Sequence, residues 1–165
     1  MLKPFFSAVT KRHVEQRILK VPCDRLFQII QDVDQYQEFL PLCTASKVLR
    51  RSDCGAFFDA SLTVGLPPLF SETYCSRVHI QRESLVVSTK SLQSKRFDSL
   101  SSEWKLQNLS KDNQVLTHVD FQVEMTVSDP LIVTILDRVL QEVAGRQVDA
   151  FEKRCRQLET NSTYR

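Results

Sequence analysis

This sequence of 165 residues lacks an excess of charge of one sign, a long apolar segment and paired cysteines. Lysine and arginine together number 22 against 20 acidic residues, so the net charge is +2, and no basic stripe of the kind that binds nucleic acid is present. The apolar runs are too short for a helix that crosses a bilayer, which leaves peripheral contact as the expected form of membrane association. We therefore predict no nucleic-acid partner and no membrane-spanning helix.

The five cysteines are an odd number, lie far apart and form no C-x-x-C motif. Such spacing argues against a disulfide framework and against a zinc site, and it suits a reducing compartment where thiols act as small apolar residues. No nucleophile, metal or phosphate motif is recognisable. His13, His79 and His118 fall on different predicted elements, and we interpret each as a solvated surface residue. The sequence therefore predicts neither a catalytic residue nor a metal ligand, and the protein is not expected to be an enzyme.

The clearest pattern is an amphipathic helix over residues 129–159, which closes the predicted domain. Asp129 followed by Pro130 is a strong start signal, because Asp accepts free backbone N–H groups and Pro fits the first helical position. Apolar residues recur every three or four positions from Ile132 to Leu158, and charged residues occupy the other side. A helix about 42 Å long, at roughly 1.5 Å per residue, is expected to cross a whole sheet.

Between residues 43 and 127 the apolar period changes to two, which is typical of strands with one buried face. Strands are predicted at 14–21, 56–64, 70–80, 84–91, 100–109 and 115–127, with short helices at 23–33 and 35–39. The order of strand, two short helices, about six strands and a long helix predicts an α+β fold of the helix-grip type. In that fold a curved antiparallel sheet wraps a long C-terminal helix, and an internal apolar cavity of a few hundred to roughly 1,000 Å³ is expected between them.

Several motifs carry a family resemblance. The stretch Asp32 to Val48, which reads DVDQYQEFLPLCTASKV, resembles the mitochondrial coenzyme Q-binding proteins of the START and polyketide-cyclase superfamily. Supporting stretches are LTVGLPP from Leu62, the pair Glu103–Trp104, and VDFQVE from Val119. Leu42 stands where members of the family often carry Trp. The match covers residues from about 14 to 158, which we expect to form a single START-like domain within 14–160.

The resemblance implies a protein that binds ubiquinone as a ligand, needs no cofactor, and supports respiration and quinone biosynthesis. The expected role is a lipid chaperone that presents quinone to respiratory or biosynthetic complexes at the matrix side of the mitochondrial inner membrane. The alternatives are a cyclase-like enzyme or a scaffold that acts in ubiquinone biosynthesis. Residues 1–13 contain Lys3, Lys11 and Arg12 and no acid, so they are interpreted either as a mitochondrial presequence or as a disordered N-terminus.

The ubiquinone cavity is expected to be lined by inward-facing apolar residues of the sheet and the helix. Trp104 is the favoured ring contact, because an indole offers a flat face and an N–H donor. Glu72 is the only acid predicted to point inward, and the alternative is a register shift that exposes it. The predicted cavity residues are Phe39, Leu62, Val64, Phe70, Tyr74, Trp104, Phe121, Val123, Met125, Leu136 and Leu140.

Membrane contact is predicted at an apolar turn and at the start of the long helix. The candidate residues are Leu66, Pro67, Pro68, Leu69 and Ile132. The helix start, residues 131–136, is apolar around its whole circumference, which fits either a lid that touches lipid or an element buried on both sides. Arg50, Arg51, Lys95 and Arg96 are candidate contacts for anionic head groups.

Overall fold

A computed structural model describes residues 7–66, 68 and 70–162, without the side chains of Leu66, Phe70 and Ser162. Its sheet has seven antiparallel strands in the order β1-β7-β6-β5-β4-β3-β2. The strands are β1 (Val9–Leu19), β2 (Cys43–Arg51), β3 (Phe57–Leu66), β4 (Phe70–Gln81), β5 (Val86–Gln93), β6 (Ser99–Asn108) and β7 (Thr117–Val127).

Two short helices, α1 (Cys23–Gln31) and α2 (Tyr36–Phe39), follow β1 and are joined by a 3-10 turn at Val33–Gln35. The C-terminal helical segment consists of α3 (Pro130–Val139), a π-helical turn at Leu140–Ala144 and α4 (Gly145–Ser162). It begins where the sequence predicts, because the Asp129 side chain accepts a hydrogen bond from the Leu131 N–H at 2.9 Å. The helix-grip fold and its element order are confirmed.

Alternation along the strands places the core on one face of the sheet. In β3, Phe58 and Ala60 are buried, and in β7 the buried residues include Val119 and Phe121. Shifts of pairing register occur in β2 after Cys43 and after Val48, and in β4 after Cys75. Bulges of this kind bend strands and increase their twist, which lets the sheet curve around the helical segment.

The buried residues form two hydrophobic clusters. The larger cluster joins α1, the sheet and α4, with Phe58, Trp104 and Phe151 among its members. The smaller cluster lies under α3 and contains Phe97, Val127, Ile132, Leu136 and Leu140. The two halves of the helical segment are therefore packed in different surroundings.

Strand β1 begins at Val9, before the predicted start of the domain at residue 14. Val9 pairs with Val127 of β7 and His13 pairs with Val123, so residues 9–13 belong to the sheet. The inner face of β1 is polar here, since Arg17 forms an ion pair of 2.9 Å with Asp149 of α4, while Val14 and Ile18 face outward. Because β1 has polar residues on the face toward the helices, it lacks the apolar alternation from which strands are predicted. Residues 1–6 lie outside the described residues.

Candidate functional site: an apolar cavity under the C-terminal helical segment

A partly enclosed cavity of about 170 Å³ lies between the sheet and the C-terminal helical segment. Its walls come from β3 to β7 on one side, from α3, the π-helical turn and the start of α4 on the other, and from the α1–β2 region. The volume is below the expected range, because the aromatic side chains of Tyr36, Tyr74, Phe97 and Trp104 take up much of the space between the layers. The cavity therefore accommodates one ring and not a long chain.

Most of the predicted cavity residues lie around this space, although ligand contact itself stays a prediction. Phe39, Phe121 and Leu136 do not belong to the lining, and the Phe70 side chain lies outside the described part of the structure. The predicted residues that line the cavity are Leu62, Val64, Tyr74, Trp104, Val123, Met125 and Leu140.

The three residues outside the lining are occupied by packing. Phe39 lies edge-on to Phe151 at 5.1 Å between ring centroids, and Phe121 lies 4.3 Å from Trp104. Leu136 is 1% exposed and belongs to the smaller cluster. Their predicted faces point inward, but neighbouring side chains fill the space in front of them.

Trp104 lies at the boundary between the cavity and the larger cluster. It is 2% exposed, with Phe121 against it at 4.3 Å and Phe151 at 4.9 Å. These rings cover much of the indole, so a stacked ligand ring has less free indole surface than the sequence suggested. Trp104 remains close enough to the cavity to report on its occupancy.

The polar end of the cavity is built around Glu72 of β4, which is 6% exposed and lines the cavity. Its inward orientation is confirmed, and the alternative register is wrong, because Glu72 pairs with Val64 on the inner face of β3. The Oε1 atom accepts hydrogen bonds from Ser94 Oγ at 3.0 Å and from the Lys95 N–H at 2.8 Å. The Arg96 Nε lies 4.0 Å from Oε2, and Arg96 also lines the cavity. The sequence gave Arg96 only as a candidate contact for anionic head groups. Its place beside Glu72 was not predicted, because the turn that brings it there has no periodic signal.

Two tyrosine hydroxyl groups also belong to the cavity lining. Tyr36 donates a hydrogen bond to the Ile30 carbonyl, and Tyr74 packs edge-on against Phe97 at 5.1 Å. Burial raises the pKa of both phenols above their ordinary value, so both stay protonated donors at neutral pH. Sequence reasoning placed Tyr36 in the family motif without assigning it to the cavity.

The turn before β2 meets the end of β3 beside the cavity. Leu42 has a φ of 65° and its carbonyl accepts a hydrogen bond from the Gly65 N–H at 2.9 Å. Both residues line the cavity. Leu42 therefore belongs to the cavity wall.

The predicted membrane contacts divide into three groups. Pro68 is exposed, whereas Pro67 and Leu69 and the Leu66 side chain lie outside the described residues. Ile132 is 6% exposed and lines the cavity, so its side chain faces the interior and not a bilayer. Its neighbour Leu131 is 58% exposed. No helix within residues 7–66, 68 and 70–162 is long and apolar enough to cross a membrane.

A second concavity of about 420 Å³ shares Thr89, Ser102 and Val123 with the first. The rest of its lining is mostly polar or charged and includes Arg12 and Glu103, which does not suit an apolar ligand. In the part of the chain that is described, no three His, Cys, Asp or Glu side chains are grouped as metal ligands. The apolar cavity is therefore the better candidate site.

A curved antiparallel sheet that closes on a long helix over an apolar cavity defines a helix-grip domain. The model of the polyketide cyclase / dehydrase and lipid transport family matches residues 19–152, and the chain belongs to this family. A solved structure with the same fold is the aromatase/cyclase ZhuI of Streptomyces sp. R1128, with a TM-score of 0.77 and 15% identity, covering 90% of this chain and 95% of that one.

Two further proteins are similar to this chain over most of its length. The mitochondrial coenzyme Q-binding protein COQ10 of Dictyostelium discoideum is 26% identical over 156 residues, which cover 94% of this chain and 73% of that protein. The ribosome association toxin RatA of Pseudomonas aeruginosa is 29% identical over 147 residues, 88% of this chain and 96% of that protein. The resemblance to the coenzyme Q-binding proteins is thus confirmed.

Proposed function

We propose that this protein binds ubiquinone and carries it as a lipid chaperone, with the quinone ring in the cavity between the sheet and the C-terminal helical segment. The observation that carries the proposal is the cavity itself, a mostly apolar space whose polar lining includes Glu72 and Arg96. Small-molecule sites typically combine an apolar lining with a few placed polar groups. The similarity to a protein named for coenzyme Q binding supports the choice of ligand.

The size of the cavity determines which part of the ligand it holds. Its volume is about 170 Å³, and an engineered apolar cavity of about 150 Å³ is known to bind benzene. A single substituted ring therefore fits, whereas a tail of many isoprene units does not. Exposing the tail to water costs about 0.8 kcal/mol per CH₂ group. The tail accordingly stays partly in the bilayer while the protein holds the ring.

Because the ring is held by the protein while the tail stays in the bilayer, the protein is expected to associate peripherally with the membrane. The exposed Leu131 at the start of α3 and the exposed Pro68 are the described residues that we assign to the lipid surface. By analogy with the mitochondrial relative, the proposed location is the matrix side of the mitochondrial inner membrane, where quinone is presented to respiratory and biosynthetic complexes.

The test is to extract lipids from the protein purified from its own source and to identify them by mass spectrometry. A prenylated quinone in about one-to-one ratio is the expected result. The purified protein is then titrated with a short-tailed ubiquinone while Trp104 fluorescence is recorded, and saturable quenching is expected. Absence of quinone in the extract together with unsaturable quenching would reject the proposal.

Two alanine-to-leucine substitutions on the helical segment, one in the cavity lining and one outside it, serve as the test and the control for this titration. Ala144 is 2% exposed and lines the cavity, so Ala144→Leu fills part of the cavity and is expected to weaken quinone binding. Ala150 on α4 is half-buried and is absent from the cavity lining, so Ala150→Leu is expected to bind as the parent does. Equal losses in the two variants would show that packing, and not the cavity, determines binding.

The enzyme and scaffold alternatives make different predictions for the same sample. A carrier returns the bound quinone chemically unchanged after incubation, whereas a cyclase-like enzyme converts a precursor. A scaffold whose cavity is incidental would keep its cellular function in Ala144→Leu.

A further inference from the structure

The carboxyl group of Glu72 is held so that one oxygen is saturated and the other is left for a ligand. Oε1 accepts two hydrogen bonds, from Ser94 Oγ at 3.0 Å and from the Lys95 N–H at 2.8 Å. Oε2 lies 4.0 Å from Arg96 Nε, which is beyond hydrogen-bond distance. Oε1 therefore holds the side chain in place, and Oε2, which has no hydrogen-bond donor among the described residues, can accept a hydrogen bond from a ligand.

The turn that surrounds Glu72 is itself ordered by hydrogen bonds. Ser94 Oγ accepts from the N–H groups of Arg96 at 3.2 Å and Phe97 at 3.3 Å while it donates to Glu72. This arrangement fixes the carboxylate before a ligand enters. Because the Glu72 carboxyl group is fixed, it cannot rotate away when a ligand oxygen without a hydrogen lies against it.

Two polar side chains near Glu72, Tyr74 and Arg96, can donate hydrogen bonds to a ligand. Tyr74 lies two residues further on the same face of β4, and its hydroxyl has no hydrogen-bond partner among the described residues. Arg96 supplies further N–H donors at the cavity wall. One acceptor and two donors therefore face the same end of the cavity.

This set of groups distinguishes the two redox forms of a quinone. A quinone carbonyl oxygen only accepts, so against Oε2 it makes no hydrogen bond and leaves that oxygen without a donor. A quinol hydroxyl donates to Oε2 and still accepts from Tyr74 or Arg96. Sites built to bond a ligand hydroxyl discriminate strongly against an analogue that lacks it, because the buried polar group is then left without a partner.

We propose that Glu72 makes the cavity selective for the reduced ring, so that this protein carries ubiquinol in preference to ubiquinone. The proposal rests on the proposed function, since it assigns a redox state to the same ligand in the same cavity. It names Glu72 as a residue that determines ligand specificity and involves no chemical step on the ring.

The experiment measures dissociation constants for a short-tailed ubiquinone and for its quinol under argon. Bound and free ligand are separated by ultrafiltration and quantified by chromatography. The parent protein is expected to bind the quinol at least about tenfold more tightly, which is the size expected for a hydrogen bond to a charged group. Equal affinities for the two forms would overturn the selectivity while leaving quinone binding intact. Failure to bind either form would instead reject the proposed function and the selectivity with it.

Glu72→Gln is the decisive variant, because its amide keeps an oxygen for Ser94 and gains an N–H₂ that donates to a quinone carbonyl. The quinol preference is expected to fall to within about twofold or to reverse. Glu124→Gln makes the same change at an exposed carboxylate of β7 and is expected to keep the parental ratio. An unchanged preference in Glu72→Gln would show that Glu72 is not its source.

A second variant keeps the test decisive if Glu72→Gln does not fold. The Arg96 side chain is 41% exposed, so Arg96→Lys is expected to fold. It keeps a positive charge and a donor beside Glu72, so the quinol preference is expected to persist. Loss of the preference in this variant would assign it to the guanidinium group and overturn the assignment to Glu72.

Discussion

The two halves of the C-terminal helical segment have the same apolar spacing but different surroundings. Val148, Phe151 and Cys155 of α4 are fully buried in the larger cluster, against α1 and the sheet. Ile132 and Leu136 of α3 pack in the smaller cluster, on Phe97 and Val127. The π-helical turn at Leu140–Ala144 separates the two halves and contributes to the cavity wall.

This difference leads to the hypothesis that α4 maintains the fold and that α3 controls access to the cavity. An element that buries few apolar neighbours opens locally at lower free energy than one embedded in the main core. π-helical turns occur frequently at functional sites. We therefore expect α3 to open while α4 stays in place, and the predictions below test that contrast.

The largest effect is expected from Phe151→Ala in the larger cluster. Phe151 is 0% exposed and contacts the rings of Tyr36 at 5.3 Å, Phe39 at 5.1 Å and Trp104 at 4.9 Å. Removing the ring should lower the free energy of unfolding by about 3 to 5 kcal/mol, which equilibrium denaturation measures. A loss below about 1 kcal/mol would mean that α4 is not part of the main core.

Leu136→Ala is expected to have a smaller and more local effect. Leu136 is 1% exposed in the smaller cluster, so truncation should cost about 2 to 3 kcal/mol and accelerate amide exchange in α3 more than in α4. Quinone uptake from liposomes should become faster if α3 is the gate. Thr134→Ala, at an exposed side chain of α3, is the control and should change the free energy of unfolding by less than about 0.5 kcal/mol. Uniform acceleration of exchange in α3 and α4 would contradict the contrast.

Cys155 provides a pH-dependent test of the larger cluster. Burial raises the pKa of its thiol from 9.0 to about 11, so above pH 9 the unfolded chain loses the proton while the folded protein keeps it. The folded state then binds more protons than the unfolded state, and stability should fall between pH 9 and pH 11 by about 1 to 3 kcal/mol. Denaturation curves of the parent and of Cys155→Ala should show a weaker decline in the variant. Parallel curves would mean that Cys155 ionises equally in both states.

The smallest effect is expected at the start of α3. Asp129 accepts a hydrogen bond from the Leu131 N–H at 2.9 Å, and loss of such a cap typically costs about 1 kcal/mol. Asp129→Ala should therefore lower the melting temperature slightly and increase exchange in the first turn of α3. Asp129→Asn keeps a capping oxygen and should resemble the parent. Equal losses in the Asn and Ala variants would assign the effect to the charge of Asp129 and not to the capping hydrogen bond.

Local patterns predicted the elements well where a strand or helix presents one apolar face. The alternation in β3 and β7 and the Asp129–Pro130 start signal each gave an element close to the observed one. The same period-two pattern oriented Glu72 correctly. The predicted start of strand β1 was five residues too late, because residues 9–13 include Lys11, Arg12 and His13 and show no apolar alternation. The partner of Lys11 is Asp137 of α3, at 3.2 Å, which the local sequence does not reveal.

The sequence by itself determined which side chains point inward, since the side-chain direction along a strand or helix follows from the backbone period. Only the tertiary structure decided which of those side chains border an open space. Leu62 and Phe121 both point inward, yet Leu62 lines the cavity and Phe121 packs against Trp104. The difference depends on the volumes of side chains from distant elements that meet at each point, and a gap remains where those volumes do not fill the space between the layers. The proximity of Arg96 to Glu72 also depends on the tertiary structure, because Arg96 lies in a turn whose position is determined by the strands on either side of it.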